Sequence, residues 1–266
     1  MTRLGGPGAW ILFGITALIM AFILTPLLIV VAMSTSDTYF ASFPPEGFTL
    51  AWYGKALTDR EFLSSLAFSA LLALGATATA LLMGVPAAFA LVRGSFPGRS
   101  FIKGLLLSPL IFPALVTGLA LLQLFSNMGW RDARVNLLIA HALVTSPYVI
   151  RTVMTSLMLV DVRLEEAART LGASRLRTFR RIILPQIAPG VAAGSIFAFM
   201  VSFDNYPVSM WLADAEHNPV PLVIYRQIVT VFDPSVAAMS TIMIVLALAV
   251  VLVLERLVGL RRAMTL

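Results

Sequence analysis

The chain has 266 residues, of which 59% are hydrophobic and only 12% are charged, whereas soluble domains carry roughly a quarter charged residues. A mean hydropathy of +0.92 therefore excludes an ordinary soluble fold. The sequence has no cysteine and only two well separated histidines, His141 and His217, which excludes a disulfide scaffold and argues against a histidine metal centre. The formal net charge of +6 leaves the positions of the basic residues to be explained.

Apolar residues occur in long runs, and about 20 residues suffice to cross a hydrocarbon layer of about 30 Å as an α-helix. In chain order, the predicted transmembrane helices cover about residues 9–33, 62–92, 105–125, 135–159, 187–212 and 236–254. The first run is too long for the apolar part of a signal peptide, so we interpret it as a retained helix. No repeat or Gly/Ser-rich linker separates the runs, which predicts an all-α membrane protein with a single domain over residues 1–266.

Lysine and arginine predict the orientation, because short cytoplasmic loops collect them. With the N-terminus inside, thirteen basic residues face the cytoplasm and five face the other side. The thirteen are Arg3, Arg93, Arg99, Lys103, Arg163, Arg169, Arg175, Arg177, Arg180, Arg181, Arg256, Arg261 and Arg262. We therefore expect both termini in the cytoplasm, and this distribution does not indicate a nucleic-acid-binding face.

The predicted outer segment between the first two helices, residues 34–61, is the longest polar stretch. It mixes polar residues with Phe48, Trp52 and Tyr53. Trp and Tyr favour the membrane interface, since an apolar ring and a polar tip can each find their own phase. We expect this segment to lie on the membrane surface, in contact with lipid.

The polar segment between the fourth and fifth runs, about residues 161–186, has the clearest local pattern. Two acids and two alanines at 165–168 are typical of a helix start, where acids complement exposed N–H groups. Gly172 is placed to end that helix in a left-handed conformation, and Ser174 to cap the next one. Pro185 is expected to mark the following break. The prediction is a joint between two short helices, with a flat alanine face that can pack closely against another protein.

The same segment reads E-A-A, three residues, G, nine residues, I, one residue, L-P. The residues at these fixed positions are Glu166, Ala167, Ala168, Gly172, Ile182, Leu184 and Pro185. This pattern resembles the cytoplasmic loop motif of permease subunits in type I ABC importers, and every fixed position matches. The resemblance implies the fold of that permease class in the inner membrane, with a loop that couples to an ATPase.

Other segments resemble the polyamine branch of this class, in particular its second permease subunit for spermidine and putrescine. They are residues 47–50 (Gly-Phe-Thr-Leu) with Trp52 and Tyr53, residues 147–148 (Pro-Tyr), and residues 202–204 (Ser-Phe-Asp). The resemblance implies three partners: a homodimeric ATPase, a second homologous permease subunit and a periplasmic solute-binding protein. ATP and Mg would bind the ATPase, so this chain is expected to hold no cofactor and to be no enzyme by itself.

Asp204 is the one acid placed well inside an apolar run, where a carboxylate costs about 2.5–3.5 kcal/mol at a helix centre. It can lie on the translocation path, where it would attract an amine-bearing solute, with Asn205 beside it and Tyr206 adding a cation–π face. It can also lie nearer the outer end, hydrogen-bonded at a break before Pro207. The resemblance favours a polyamine or similar amine-bearing solute as the substrate; the alternative is a phosphonate, iron, thiamine or another small solute, which related permeases carry.

Other function classes have weaker support. Residues 94–100 (Gly-Ser-Phe-Pro-Gly-Arg-Ser) do not form a phosphate-binding P-loop, because three residues rather than four separate the glycines and Arg99 replaces lysine. Neither a zinc-protease nor a serine-hydrolase motif occurs. An autonomous channel or secondary transporter is the remaining alternative, although internal repeats and several intramembrane charges, which such transporters use, are not evident.

Overall fold

The structure is a computed structural model that describes residues 7–39, 43–230 and 234–258. Arg3, Arg261 and Arg262, which entered the charge count, lie outside the described residues. In the described ranges the chain forms helices, turns and bends, without a strand. The α-helices are α1 (Pro7–Met33), α2 (Ala51–Thr58), α3 (Arg60–Arg93), α4 (Arg99–Leu107), α5 (Ala114–Asn127), α6 (Ala133–Leu159), α7 (Val162–Thr170), α8 (Arg175–Thr178), α9 (Leu184–Phe203), α10 (Tyr206–Leu212), α11 (Val220–Thr230) and α12 (Ser235–Val258).

The described helices include five segments long and apolar enough to cross a membrane: α1, α3, α6, the continuous stretch Arg175–Phe203, and α12. A sixth is formed if α4 and α5, which bend by 104° relative to each other, count as one span. These bounds agree with the predicted all-α protein of about six transmembrane helices. The short helices α2 and α11 were not predicted, because neither contains an apolar run of spanning length.

The third predicted helix, residues 105–125, is wrong as a continuous element. α4 ends at Leu107, a 3₁₀ turn covers Ser108–Leu110, and α5 begins only at Ala114. Pro109 lies at the start of the 3₁₀ turn, and Pro113 is the N-cap of α5. Proline lacks an N–H donor and restricts the preceding residue, so two prolines four residues apart end one helix and start another.

Contacts divide the chain into two compact units, one comprising residues up to Leu63 with Ile224–Leu246, the other comprising Ser64–Val223 with the C-terminal residues. In the first unit, the loop after α1 is closed by two backbone hydrogen bonds, from the N–H of Asp37 to the carbonyl of Glu46 (2.9 Å) and from Thr49 to Thr35 (2.8 Å). The single-domain organisation stays a prediction.

Trp52 is buried in this first unit, and its Nε1 donates to the carbonyl of Ser36 (2.8 Å). Tyr53 pairs with the hydroxyl of Ser34 at 2.6 Å. These two aromatic residues therefore organise the loop, whereas Phe48 and Leu50 are exposed. The predicted location of this loop on the membrane surface stays a prediction.

The second unit is built around α6, which packs along α9 and also against α3. Glycines allow the close approach: a Cβ on Gly194 of α9 would lie 2.6 Å from Thr152 Oγ1 and 3.0 Å from Val149 Cα. A Cβ on Gly84 of α3 would lie 2.9 Å from Val149 Cγ1. Small residues at such contacts let helix backbones pack closely where lipid removes the usual hydrophobic driving force.

Candidate functional site

The segment predicted as a joint between two short helices, hereafter the elbow (residues 161–185), has that structure. Asp161 caps α7, its side chain accepting the N–H of Arg163 at 2.9 Å. Gly172 has φ +80°, which confirms the predicted left-handed helix end. Ser174 Oγ accepts the N–H of Arg177 at 3.3 Å and so caps α8 as predicted.

Two backbone hydrogen bonds lock the turn of the elbow. The N–H of Gly172 donates to the carbonyl of Arg169, and the N–H of Ala173 donates to the carbonyl of Ala168, each at 3.0 Å. This pair of bonds is the Schellman motif, which satisfies carbonyls at a helix end and requires a left-handed residue between them. The direction in which the chain leaves α7 is therefore fixed by local chemistry.

Pro185 does not mark a break, and that prediction was wrong. The backbone continues from α8 through a π-helical segment, Phe179–Ile183, directly into α9, with Pro185 in the first turn of α9. The second limb of the elbow is therefore continuous with a membrane-spanning helix.

The seven motif residues divide between the surface and the interior of their unit. Ala168 is buried and Ile182 is half-buried. The exposed members are Glu166, Ala167, Gly172, Leu184 and Pro185. The predicted flat alanine face is therefore reduced to Ala167, and it continues into Leu171, which is 88% exposed at the tip of the elbow.

One flank of the elbow is strongly basic. A cavity of about 500 Å³ is lined by Ser174, Leu176, Arg177, Arg180 and Arg181. No acid pairs with these three arginines among the described residues. Across residues 7–39, 43–230 and 234–258, no group of three His, Asp or Glu side chains is placed to hold a metal ion.

The second candidate site is the break between α9 and α10. The fifth predicted helix, 187–212, is wrong as one element: α9 ends at Phe203, and Asp204 is its C-cap. Asp204 is therefore not inside a helix; its side chain is exposed, without a hydrogen-bond or ion-pair partner among the described residues. Asn205 is buried and caps α10, its Oδ1 accepting the N–H of Val208 at 3.1 Å. Tyr206 is half-buried in the first turn of α10.

His141 of α6 bridges the two helices that meet at this break. It is fully buried, with Nδ1 at 2.8 Å from Ser202 Oγ in α9 and Nε2 at 3.0 Å from Ser209 Oγ in α10. The sequence predicted a packed or hydrogen-bonded histidine but not its partners, because these lie 61 and 68 residues away. A hydrogen-bonded polar cluster therefore joins α9 and α10, the helices on either side of Asp204 and Asn205.

A separate cluster of charged and polar side chains forms hydrogen bonds in the loop between α10 and α11. Asp214 Oδ1 accepts the N–H groups of Glu216 (3.0 Å) and His217 (2.6 Å), and it also contacts His217 Nδ1 at 2.9 Å. Arg134 Nε donates to Nε2 of the same histidine. Desolvation opposes the charge, but the hydrogen bonds from His217 outweigh it, so the pKa of Asp214 lies below its ordinary value.

The second unit combines a motif-bearing elbow with a membrane-spanning helix that continues from it, as the resemblance to permease subunits implies. Comparison with known proteins agrees: residues 76–262 match the family of binding-protein-dependent transport system inner membrane components. The chain belongs to this family, and it is therefore an integral protein of the inner membrane.

Named relatives and a solved structure fit this assignment. The chain is 34% identical to the spermidine/putrescine transport system permease protein PotC of Escherichia coli strain K12, over 90% of each chain. It is 29% identical to the putrescine transport system permease protein PotI of the same strain, over 84% of this chain and 82% of the relative. A bacterial ABC transporter involved in import of the acidic polysaccharide alginate has the same fold, with a TM-score of 0.73 at 21% identity, covering 96% of this chain and 99% of that one.

Proposed function

We propose that this chain is one permease subunit of an ATP-driven importer that takes up polyamines or similar amine-bearing solutes. The observation that carries the proposal is the elbow, whose capped turn exposes the motif residues Glu166, Ala167 and Gly172. The similarity of this chain to PotC, over 90% of both chains, supports the polyamine class. ATP and Mg bind a separate homodimeric ATPase, and a second permease subunit and a periplasmic binding protein complete the importer.

In this proposal the elbow docks on the ATPase through its exposed face, formed by Glu166, Ala167, Leu171 and Gly172. Ala167 and Gly172 leave space for a close-fitting partner, since a Cβ on Gly172 meets nothing within 4 Å in this chain. When ATP closes the ATPase dimer, the elbow moves. Because its second limb continues into α9, that movement tilts a membrane-spanning helix and opens the pathway alternately to each side.

The basic flank of the elbow supports a cytoplasmic location, because arginines concentrate on that side of inner-membrane proteins. Both termini are placed on the same side in this proposal, which requires that α4 and α5 together cross the membrane once.

Asp204 is proposed to attract the cationic substrate on the translocation path. Its carboxylate is exposed beside a helix break, whereas the neighbouring Asn205 serves as a cap and is buried. The buried His141 cluster keeps that break in place. In this proposal Asp204 supplies the charge, and Tyr206 adds an aromatic face for an ammonium group.

The function is tested by reconstituting the chain with its ATPase, second permease and binding protein in liposomes and measuring uptake of labelled putrescine and spermidine. We expect uptake that requires both ATP and binding protein. Uptake without ATP would contradict the importer class, and ATP-dependent uptake of other solutes alone would contradict the polyamine class.

The substrate-path role is tested by Asp204→Asn, which keeps the side-chain volume and removes the charge. Uptake should fall strongly, while complex assembly and basal ATP hydrolysis are preserved. Glu216→Gln is the matched control, since it removes an exposed acid elsewhere in the same unit. Normal uptake by Asp204→Asn at normal complex levels would refute the role of this acid.

A further inference from the structure

The last turn of α3 contacts both limbs of the elbow. Arg93, the final residue of α3, places Nε at 2.9 Å from Oε1 of Glu165 in the first turn of α7. A second nitrogen of the same guanidinium donates to the carbonyl of Val160, the C-cap of α6, at 2.9 Å. One side chain therefore joins the ends of three helices.

Phe89, one turn before Arg93, reaches the other limb. Its ring packs edge to face against Phe179, the first residue of the π-helical segment, with centroids 6.0 Å apart and planes at 87°. Both rings border the core cluster formed by α3, α6 and α9. The contact is independent of the ion pair, and it links α3 to the limb that continues into α9.

The ion pair is shielded from solvent, with only 16% of the Arg93 side chain and 14% of the Glu165 side chain exposed. Breaking such a pair is costly, because the remaining charge stays desolvated and unpaired. The adjacent Glu166 differs: it is exposed and has no ion-pair partner in the part of the chain that the structure describes. The two neighbouring acids therefore lie in different environments, Glu165 paired inside the protein and Glu166 exposed on its surface.

We propose that the end of α3 is a strut that holds the elbow, with Arg93 and Glu165 as its positioning residues. The proposal rests on the proposed coupling function of the elbow. A displacement of the elbow is then passed to α3 as well as to α6 and α9, so that these three packed helices move together. Without the strut, the elbow still docks but moves without carrying α3.

The test is a charge exchange in the reconstituted complex, using Arg93→Glu, Glu165→Arg and the double variant. Each single variant should keep the ATPase bound while uptake per ATP hydrolysed falls about tenfold, as an interaction free energy typical of contacting residues predicts. The double variant should exceed both single variants, because the ion pair is rebuilt with its charges exchanged. Lys103→Glu is the control, a charge reversal at an exposed residue on the neighbouring helix α4.

A conservative variant, Arg93→Lys, keeps the test informative if the charge-reversal variants do not fold. Arg93→Lys keeps the charge but cannot hold Glu165 and Val160 together with a planar fork, so its uptake per ATP should be intermediate. Single variants that couple like Lys103→Glu, or a double variant no better than the singles, would overturn the strut. Failure of the proposed coupling function of the elbow is distinguishable, because then the wild-type chain would not bind the ATPase.

Discussion

His141 shows how much one buried side chain can determine. Its imidazole satisfies the hydroxyls of Ser202 and Ser209 on opposite sides of the break between α9 and α10. A neutral imidazole has one donor and one acceptor, and each serine hydroxyl can take either role, so the cluster is fully satisfied without a charge. The break that carries Asp204 and Asn205 is thus positioned by a residue of a third helix.

Replacing His141 with alanine should destabilise the protein, because two buried hydroxyls lose their partner and a cavity forms. Each buried polar group left unsatisfied costs about 1–3 kcal/mol. The measurement is the thermal unfolding midpoint in detergent, compared with Thr155→Ala, an exposed position on the same helix. We expect a clear decrease for His141→Ala and little change for Thr155→Ala; equal midpoints would contradict the bridging role.

Gly172 provides a sharper test of the elbow, since its φ of +80° requires a residue that tolerates the left-handed region. A β-carbon there costs about 1–2 kcal/mol for most residues, whereas asparagine visits the region more readily. Because a Cβ meets nothing within 4 Å, the backbone and not crowding within the chain sets the cost. In the isolated chain, the left-handed backbone conformation therefore explains why residue 172 is glycine, and crowding by neighbouring side chains does not.

We therefore expect Gly172→Val to uncouple ATP hydrolysis from uptake and Gly172→Asn to retain most uptake. Ala167→Asp should also uncouple, because it places a charge on the exposed docking face. Membrane insertion should be normal in all three, as measured by the amount of chain in the membrane fraction. Equal uptake by the valine and asparagine variants would show that the left-handed turn does not matter for coupling.

At the scale of helices, the sequence predicts those features that depend on residues close together in the chain. The apolar runs gave the spanning helices because the bilayer sets their length, and Gly172 and Ser174 gave the helix ends because caps act within a few residues. The breaks at residues 111–113 and 204–205 fall within apolar runs, so hydropathy could not locate them. The contact of Arg93 with Glu165 joins residues 72 positions apart, and no local pattern indicates it.

The contact of α9 with α6 depends on glycine and predicts the effect of Gly194→Val. The added atoms would collide with Thr152 and with the backbone of Val149, so the helices must separate. Overpacking of this kind costs typically 1–3 kcal/mol. The folded fraction after heating in detergent should fall, whereas Gly14→Val in α1 should not change it, since a Cβ there meets nothing within 4 Å. Equal heat resistance of the two variants would contradict the close packing.

For the whole molecule, the number of membrane crossings decides which side carries the elbow. Five described helices can span alone, and the bent pair of α4 and α5 makes a sixth only if it crosses as one. If it crosses, the elbow faces the side on which α1 begins. If the pair instead re-enters on one side, the elbow lies on the face opposite to the start of α1; with that start in the cytoplasm, an ATPase could not reach the elbow.

Cysteine labelling separates these two topologies, and the absence of native cysteine makes each introduced thiol unique. Single cysteines are placed at the exposed residues Arg99, Arg131 and Leu171, which come before the bent pair, after it and in the elbow. In intact cells that express the chain alone, a membrane-impermeant maleimide should label Arg131→Cys but not the other two, and inverted vesicles should give the reverse pattern. Labelling of Leu171→Cys from outside, with both Arg99→Cys and Arg131→Cys protected, would mean that α4 and α5 do not cross. The elbow would then face away from the cytoplasm, and its proposed coupling to an ATPase would be refuted.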